Sequence, residues 1–168
     1  MPNSNYNIEL EYLKIPLHRY TFKPITMRKW VEENCKGYTL NLFAGKTKLD
    51  INEVRNDSDV TMLADYHMDG LDFIKQWKGD KFDTVLLDPP YSLRKEMELY
   101  NGHMNSRFNQ IKDEIPKILK DGGRVITFGY HSLSMGKMRG FTQKKILLMY
   151  HSGAIHDTIA VVEEYHAV

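Results

Sequence analysis

The chain has a single cysteine, Cys35, in 168 residues. One thiol cannot close an internal disulfide, so the fold must rest on its own core, in keeping with a reducing compartment. Cys35 itself reads as a small buried hydrophobe. No apolar run approaches the roughly 20 residues that a membrane-spanning helix requires, so no membrane partner is expected. The opening stretch, MPNSNYNIELEYLK, lacks the basic and apolar regions of a secretory leader, and the reading is a cytoplasmic protein. Net charge is nearly absent: 23 Lys and Arg stand against 22 Asp and Glu. That excludes the global basic field of a strong non-specific nucleic-acid binder and leaves only local basic surface. None of the seven histidines stands at metal-ligand spacing with a second His or with Cys35, and no metal is expected. The nearest pair, His151 and His156, flanks a turn, and His131 reads as structural or solvated.

What is present is the pattern of an α/β domain. Apolar residues make up 42% of the chain, enough for one domain with a real core. Residues 1–24 are polar with scattered aromatics and read as a loosely packed arm. Ile25, Trp30 and Val31 give 25–35 a helical spacing, with Thr26 as its candidate cap and Gly37 as its stop. YTLNLF (38–43), FDTVLLD (82–88) and RVITFGY (124–130) are strands, with VRND (54–57) and DYHMD (65–69) as shorter candidates. GLDFIKQW (70–77) and 105–120 are helices, the second carrying Phe108, Ile111, Ile115, Ile118 and Leu119 on one side. Pro116 should kink or break it. Asp121-Gly122-Gly123 reads as a turn. KKILLMY (144–150) and DTIAVVEEY (157–165) follow with no helix between them, which predicts an antiparallel hairpin at the sheet edge. Strands separated by helices predict a mostly parallel sheet with helices on both faces. The arm and first helix would occupy 1–37, and the core 38–168.

In such sheets a ligand lies beyond the carboxyl ends of the strands. The first of these ends is TLNLFAGKTKLD (39–50), whose Gly45-Lys46-Thr47 matches the close of a phosphate-binding loop. The opening glycine of that loop would fall on Leu40, inside the strand, so a phosphate cradle is excluded in favour of a tight glycine turn. Acids follow at the next ends: Asp57 and Asp59, then Asp69. They suit a ligand with hydroxyls, amines and a cationic centre, and do not suit a polyphosphate.

VLLDPPYS (85–92) sets Asp88, Pro89, Pro90 and Tyr91 directly after a buried strand. This string resembles the signature of the S-adenosylmethionine-dependent amino-methyltransferases, which methylate adenine at N6 or cytosine at N4. The resemblance spans about 38–165 and implies a Rossmann-like methyltransferase fold with S-adenosylmethionine as methyl donor. An exocyclic amine is a poor nucleophile because its lone pair is delocalised into the ring. An acceptor on Asp88 and the Pro89 carbonyl draw its nitrogen toward tetrahedral geometry. The prolines fix the turn, and Tyr91 stacks on an extruded base. Phe43, Ala44, Gly45, Asp57 and Asp59 are implied to hold the donor, Asp57 or Asp59 taking its ribose and Asp69 its adenine.

Departures from the family set the alternatives. Thr47 replaces a usual second glycine, and only KTKLDINE separates the turn from the next strand, where a full helix is expected. No target-recognition domain is visible. The insert 92–110, with Arg94, Lys95 and Arg107, and the loop 131–141, with Lys137 and Arg139, are candidate phosphate contacts. The reading is methyl transfer to adenine N6 in DNA ahead of cytosine N4. The alternatives are RNA or a protein amide as acceptor, or a non-catalytic nucleic-acid-binding partner subunit. A homo-oligomer or a separate recognition subunit is the expected assembly.

Overall fold

A computed structural model describes residues 7–90, 92–93, 106–154 and 156–168. Its strands are β1 (Glu9–Lys14), β2 (Thr39–Asn41), β3 (Glu53–Arg55), β4 (Phe82–Leu87), β5 (Leu119–Gly129), β6 (Phe141–Tyr150) and β7 (Thr158–Tyr165). Its α-helices are α1 (Ile25–Asn34), α2 (Gly70–Gln76) and α3 (Arg107–Ile118). The strands form a seven-stranded sheet in the order β1-β6-β7-β5-β4-β2-β3. Neighbours are parallel except at β7, which runs antiparallel to both β5 and β6.

Alternation along β4 and β5 explains why helices cover both faces. Val85, Leu87 and Val125 point into a core with Leu71, Phe73 and Ile74 of α2 and Phe108, Ile111 and Ile115 of α3. Leu86, Ile126 and Phe128 point the other way, into a core with Met27, Trp30 and Val31 of α1. Phe128 meets Phe22 edge-on at 5.2 Å and Trp30 at 6.4 Å. Such ring pairs each stabilise by about 0.5–1.5 kcal/mol beyond their buried area.

Several sequence expectations change. The arm is not loose over Glu9–Lys14. β1 pairs in parallel with β6 from Glu9 opposite Lys145 to Lys14 opposite Tyr150, so the β6–β7 hairpin stands as expected on that side with β1 added outside it. Glu11 anchors this strand, accepting from Lys145 Nζ at 2.8 Å and from the Trp30 indole. Thr26 does not cap α1: the helix starts at Ile25, Pro24 takes the cap position two residues earlier, and no side chain bonds there. Pro116 does not break α3, which runs on to Ile118. Pro116 has no N–H to give to the Lys112 carbonyl one turn back, and the helix ends two residues beyond it. Asp121-Gly122-Gly123 is absorbed into β5, where Gly122 at φ +72° carries a register shift against β4. The 65–69 candidate shrinks to one bridge between Asn56 and Tyr66.

Candidate functional site

A cleft of about 510 Å³ opens at the carboxyl ends of β2, β3, β4 and β5. Phe43, Ala44, Gly45, Asp57, Asp59, Asp88, Pro89 and Pro90 all line it. Three stretches distant in sequence thus share one space because their strands are hydrogen-bonded neighbours, β2 lying between β3 and β4. Tyr91, Arg94 and Lys95 lie outside the described residues.

The turn after β2 is built by bonds to β3. Gly45 sits at φ +59°, the left-handed region that favours glycine. Its N–H donates to Asp57 Oδ2 at 2.8 Å, and the Ala44 N–H donates to the Asn56 carbonyl at 2.9 Å. Asp57 Oδ1 accepts from the Asp59 N–H at 2.9 Å. Asp59 is exposed, and its carboxyl is held below the ordinary range by hydrogen bonds from the Thr61 hydroxyl and N–H. Asn56 fastens the strand end sideways, donating to the Leu42 and Met68 carbonyls and accepting from the Met68 N–H.

Asp69 is not among the residues that line the cleft. It caps α2, accepting from the Leu71 and Asp72 N–H groups, and it also accepts from Arg107 Nε at 3.0 Å. The Arg107 guanidinium holds its carboxyl below the usual carboxylate range. Arg139 is likewise engaged, donating to Asp113 at 2.7 Å and to the Met135 carbonyl at 3.0 Å.

The opposite wall comes from outside the motif. Pro16, His18, Tyr20 and Phe22 of the segment after β1 line the cleft with Tyr130, His151 and His156. His131, the histidine directly after β5, is exposed and does not line it. The 15–24 segment is fixed by His151, which is buried, with Nδ1 2.7 Å from the Ile15 carbonyl and Nε2 2.8 Å from Thr158 Oγ1. Lys46 Nζ stands 5.5 Å from the Tyr20 ring centre, within cation–π range. Spacing gave no signal for His151, because its partners come from the arm and the far strand of the hairpin.

No model of a known protein family matches the chain, and no curated protein matches it. Solved structures match it in fold. The N-methyltransferase NodS from Bradyrhizobium japonicum gives a TM-score of 0.56 at 10% identity, over 84% of this chain and 94% of its own. The 1,6-didemethyltoxoflavin-N1-methyltransferase from Burkholderia thailandensis, seen with 1,6-didemethyltoxoflavin and S-adenosylhomocysteine, gives 0.58 at 10% identity, over 88% and 79%. A putative methylase from Haemophilus influenzae gives 0.54 at 15% identity, over 92% of each chain. At these identities the likeness is one of fold: the chain has the Rossmann-like architecture of these methyltransferases.

Proposed function

We propose that the chain transfers a methyl group from S-adenosylmethionine to the exocyclic amine of a nucleobase, adenine N6 in DNA. One observation carries the reading. Asp88, Pro89 and Pro90 line the same cleft as the glycine turn and Asp57, so an acceptor corner and a donor cradle open onto one space.

The residues present suit the donor. A volume of about 510 Å³ lies within the range of cofactor pockets. Asp57 and Asp59 offer carboxylate oxygens to ribose hydroxyls, and Phe43 and Met62 supply apolar surface for a purine ring. Asp69 would serve the adenine amine only by exchanging its Arg107 contact for it. When bound, the donor supplies an electrophilic methyl carbon on a sulfonium.

The chain's part is orientation and charge. Asp88 and the Pro89 carbonyl accept the two N–H bonds of the amine and turn its lone pair toward the donor side. Asp88 offsets the positive charge that develops on nitrogen and is the acceptor at hand for the departing proton. Tyr91 stacks on the base.

Incubation with S-adenosylmethionine labelled with tritium in its methyl group, followed by counting of DNA, RNA and protein fractions, tests the acceptor. Label in DNA supports the reading. Label confined to RNA or protein moves the same chemistry to that acceptor. Absence of S-adenosylhomocysteine binding at millimolar concentration in calorimetry favours the non-catalytic partner instead.

A further inference from the structure

In the fold described above, the turn after β2 leads to β3 through 42–52 without any helix between them. Something else must hold that turn. The structure gives the task to Arg55, the last residue of β3, which is only 4% exposed. Its guanidinium has five N–H groups, and five acceptors meet it. Nη2 donates to the Ala44 carbonyl at 3.2 Å and to the Gly45 carbonyl at 3.0 Å. Nη1 donates to the Thr47 carbonyl at 2.8 Å and to Glu53 Oε1 at 2.8 Å. Nε donates to the Leu63 carbonyl at 2.8 Å.

Glu53 completes the fastening. Its Oε1 also accepts from the Leu49 N–H at 3.1 Å, and its Oε2 accepts from Asn41 Nδ2 at 3.1 Å. One buried ion pair therefore grips the turn by three carbonyls, the chain beyond it at Leu49, and β2 itself. A buried arginine is costly unless every N–H is matched, and here every one is. The Ala44 and Gly45 N–H groups are bound from the same side by Asn56 and Asp57, so the turn is held through both its donors and its acceptors.

We infer that Arg55 is a positioning residue for the methyl donor: it holds the Ala44–Thr47 turn as a preformed cradle, in place of the helix that this chain lacks. The inference rests on the donor reading above. Arg55 does not line the cleft, so it acts through the turn and not by contact. Its fork shape is essential. A lysine keeps the charge, but three donors on one nitrogen cannot reach carbonyls spread over positions 44, 45, 47 and 63.

The test is Arg55→Lys in the full chain, with S-adenosylhomocysteine as probe. We expect its Kd by calorimetry and the KM for S-adenosylmethionine to rise at least tenfold, with kcat at saturating donor retained. Values within twofold of wild type in a folded variant would overturn the inference. Hydrogen exchange on the wild-type protein decides the matter if the variant does not fold. Ala44 and Gly45 amides that exchange slowly without donor support a preformed cradle, and exchange at the free-peptide rate overturns it. If wild type binds no S-adenosylhomocysteine, the donor reading fails by itself, whatever the exchange data show for the turn.

Discussion

The Asp57 carboxylate accepts a hydrogen bond of 2.8 Å from the Gly45 N–H, joining the end of β3 to the turn after β2. Its other oxygen takes the Asp59 N–H. An acid expected to face the ribose is thus also part of the frame of the turn. Asp57→Ala leaves both N–H groups without their partner, at about 1.5–3 kcal/mol for hydrogen bonds to a charged group. The Kd for S-adenosylhomocysteine should rise about ten- to a hundredfold by calorimetry. Wild-type affinity in this variant would remove Asp57 from the donor site.

His151 joins the arm to the β6–β7 turn through the Ile15 carbonyl and Thr158. His151→Ala leaves a buried carbonyl without that donor and should cost about 1–3 kcal/mol of stability. Thermal denaturation should show the loss, and limited proteolysis should cut sooner within 15–24. An unchanged melting temperature and an unchanged cutting pattern would mean that the arm is held by other contacts.

Lys112 of α3 is buried, its Nζ 3.3 Å from the Ser134 carbonyl and 5.1 Å from the Phe108 ring centre. Burial pushes its ammonium down to about 8, helped by Arg139 and opposed by Glu163 and Asp113. In the unfolded chain it titrates near 10.4. Between these values the unfolded state holds a proton that the folded state has released, so the contribution of Lys112 to stability rises with pH from about 8 to about 10.4 and is flat below. Urea midpoints of wild type should therefore gain on those of Lys112→Met between about pH 7 and about pH 9.5. Parallel midpoints would contradict the assignment.

The strands and helices that carry the site were legible where the pattern was local. The run from Val85 to Leu87 is apolar because both sheet faces are covered there, and α3 shows its period in Phe108, Ile111 and Ile115. β1 was hidden because its partner, β6, lies 136 residues away and the strand buries little of its own, leaving Leu10 and Tyr12 exposed. The turn at Asp121–Gly123 was misread because a left-handed glycine serves a bulge as well as a reversal. Asp57 and Asp88 were placed at strand ends by the strand pattern and the resemblance together, and both line the cleft. Asp69 was placed by the same logic, and its oxygens are engaged by α2 and Arg107. Arg55 was invisible: an arginine in a short polar strand looks solvated until three turn carbonyls close around it.

The central claim is that Asp88 orients and neutralises the acceptor amine while other residues hold the donor. The most direct measurement compares wild type with Asp88→Ala for S-adenosylhomocysteine binding and for tritiated-methyl transfer to DNA, with the labelled nucleoside identified by mass spectrometry. The account predicts an unchanged Kd, N6-methyladenine from wild type, and transfer reduced by at least about a hundredfold in the variant. Transfer at the wild-type rate by folded Asp88→Ala would contradict it.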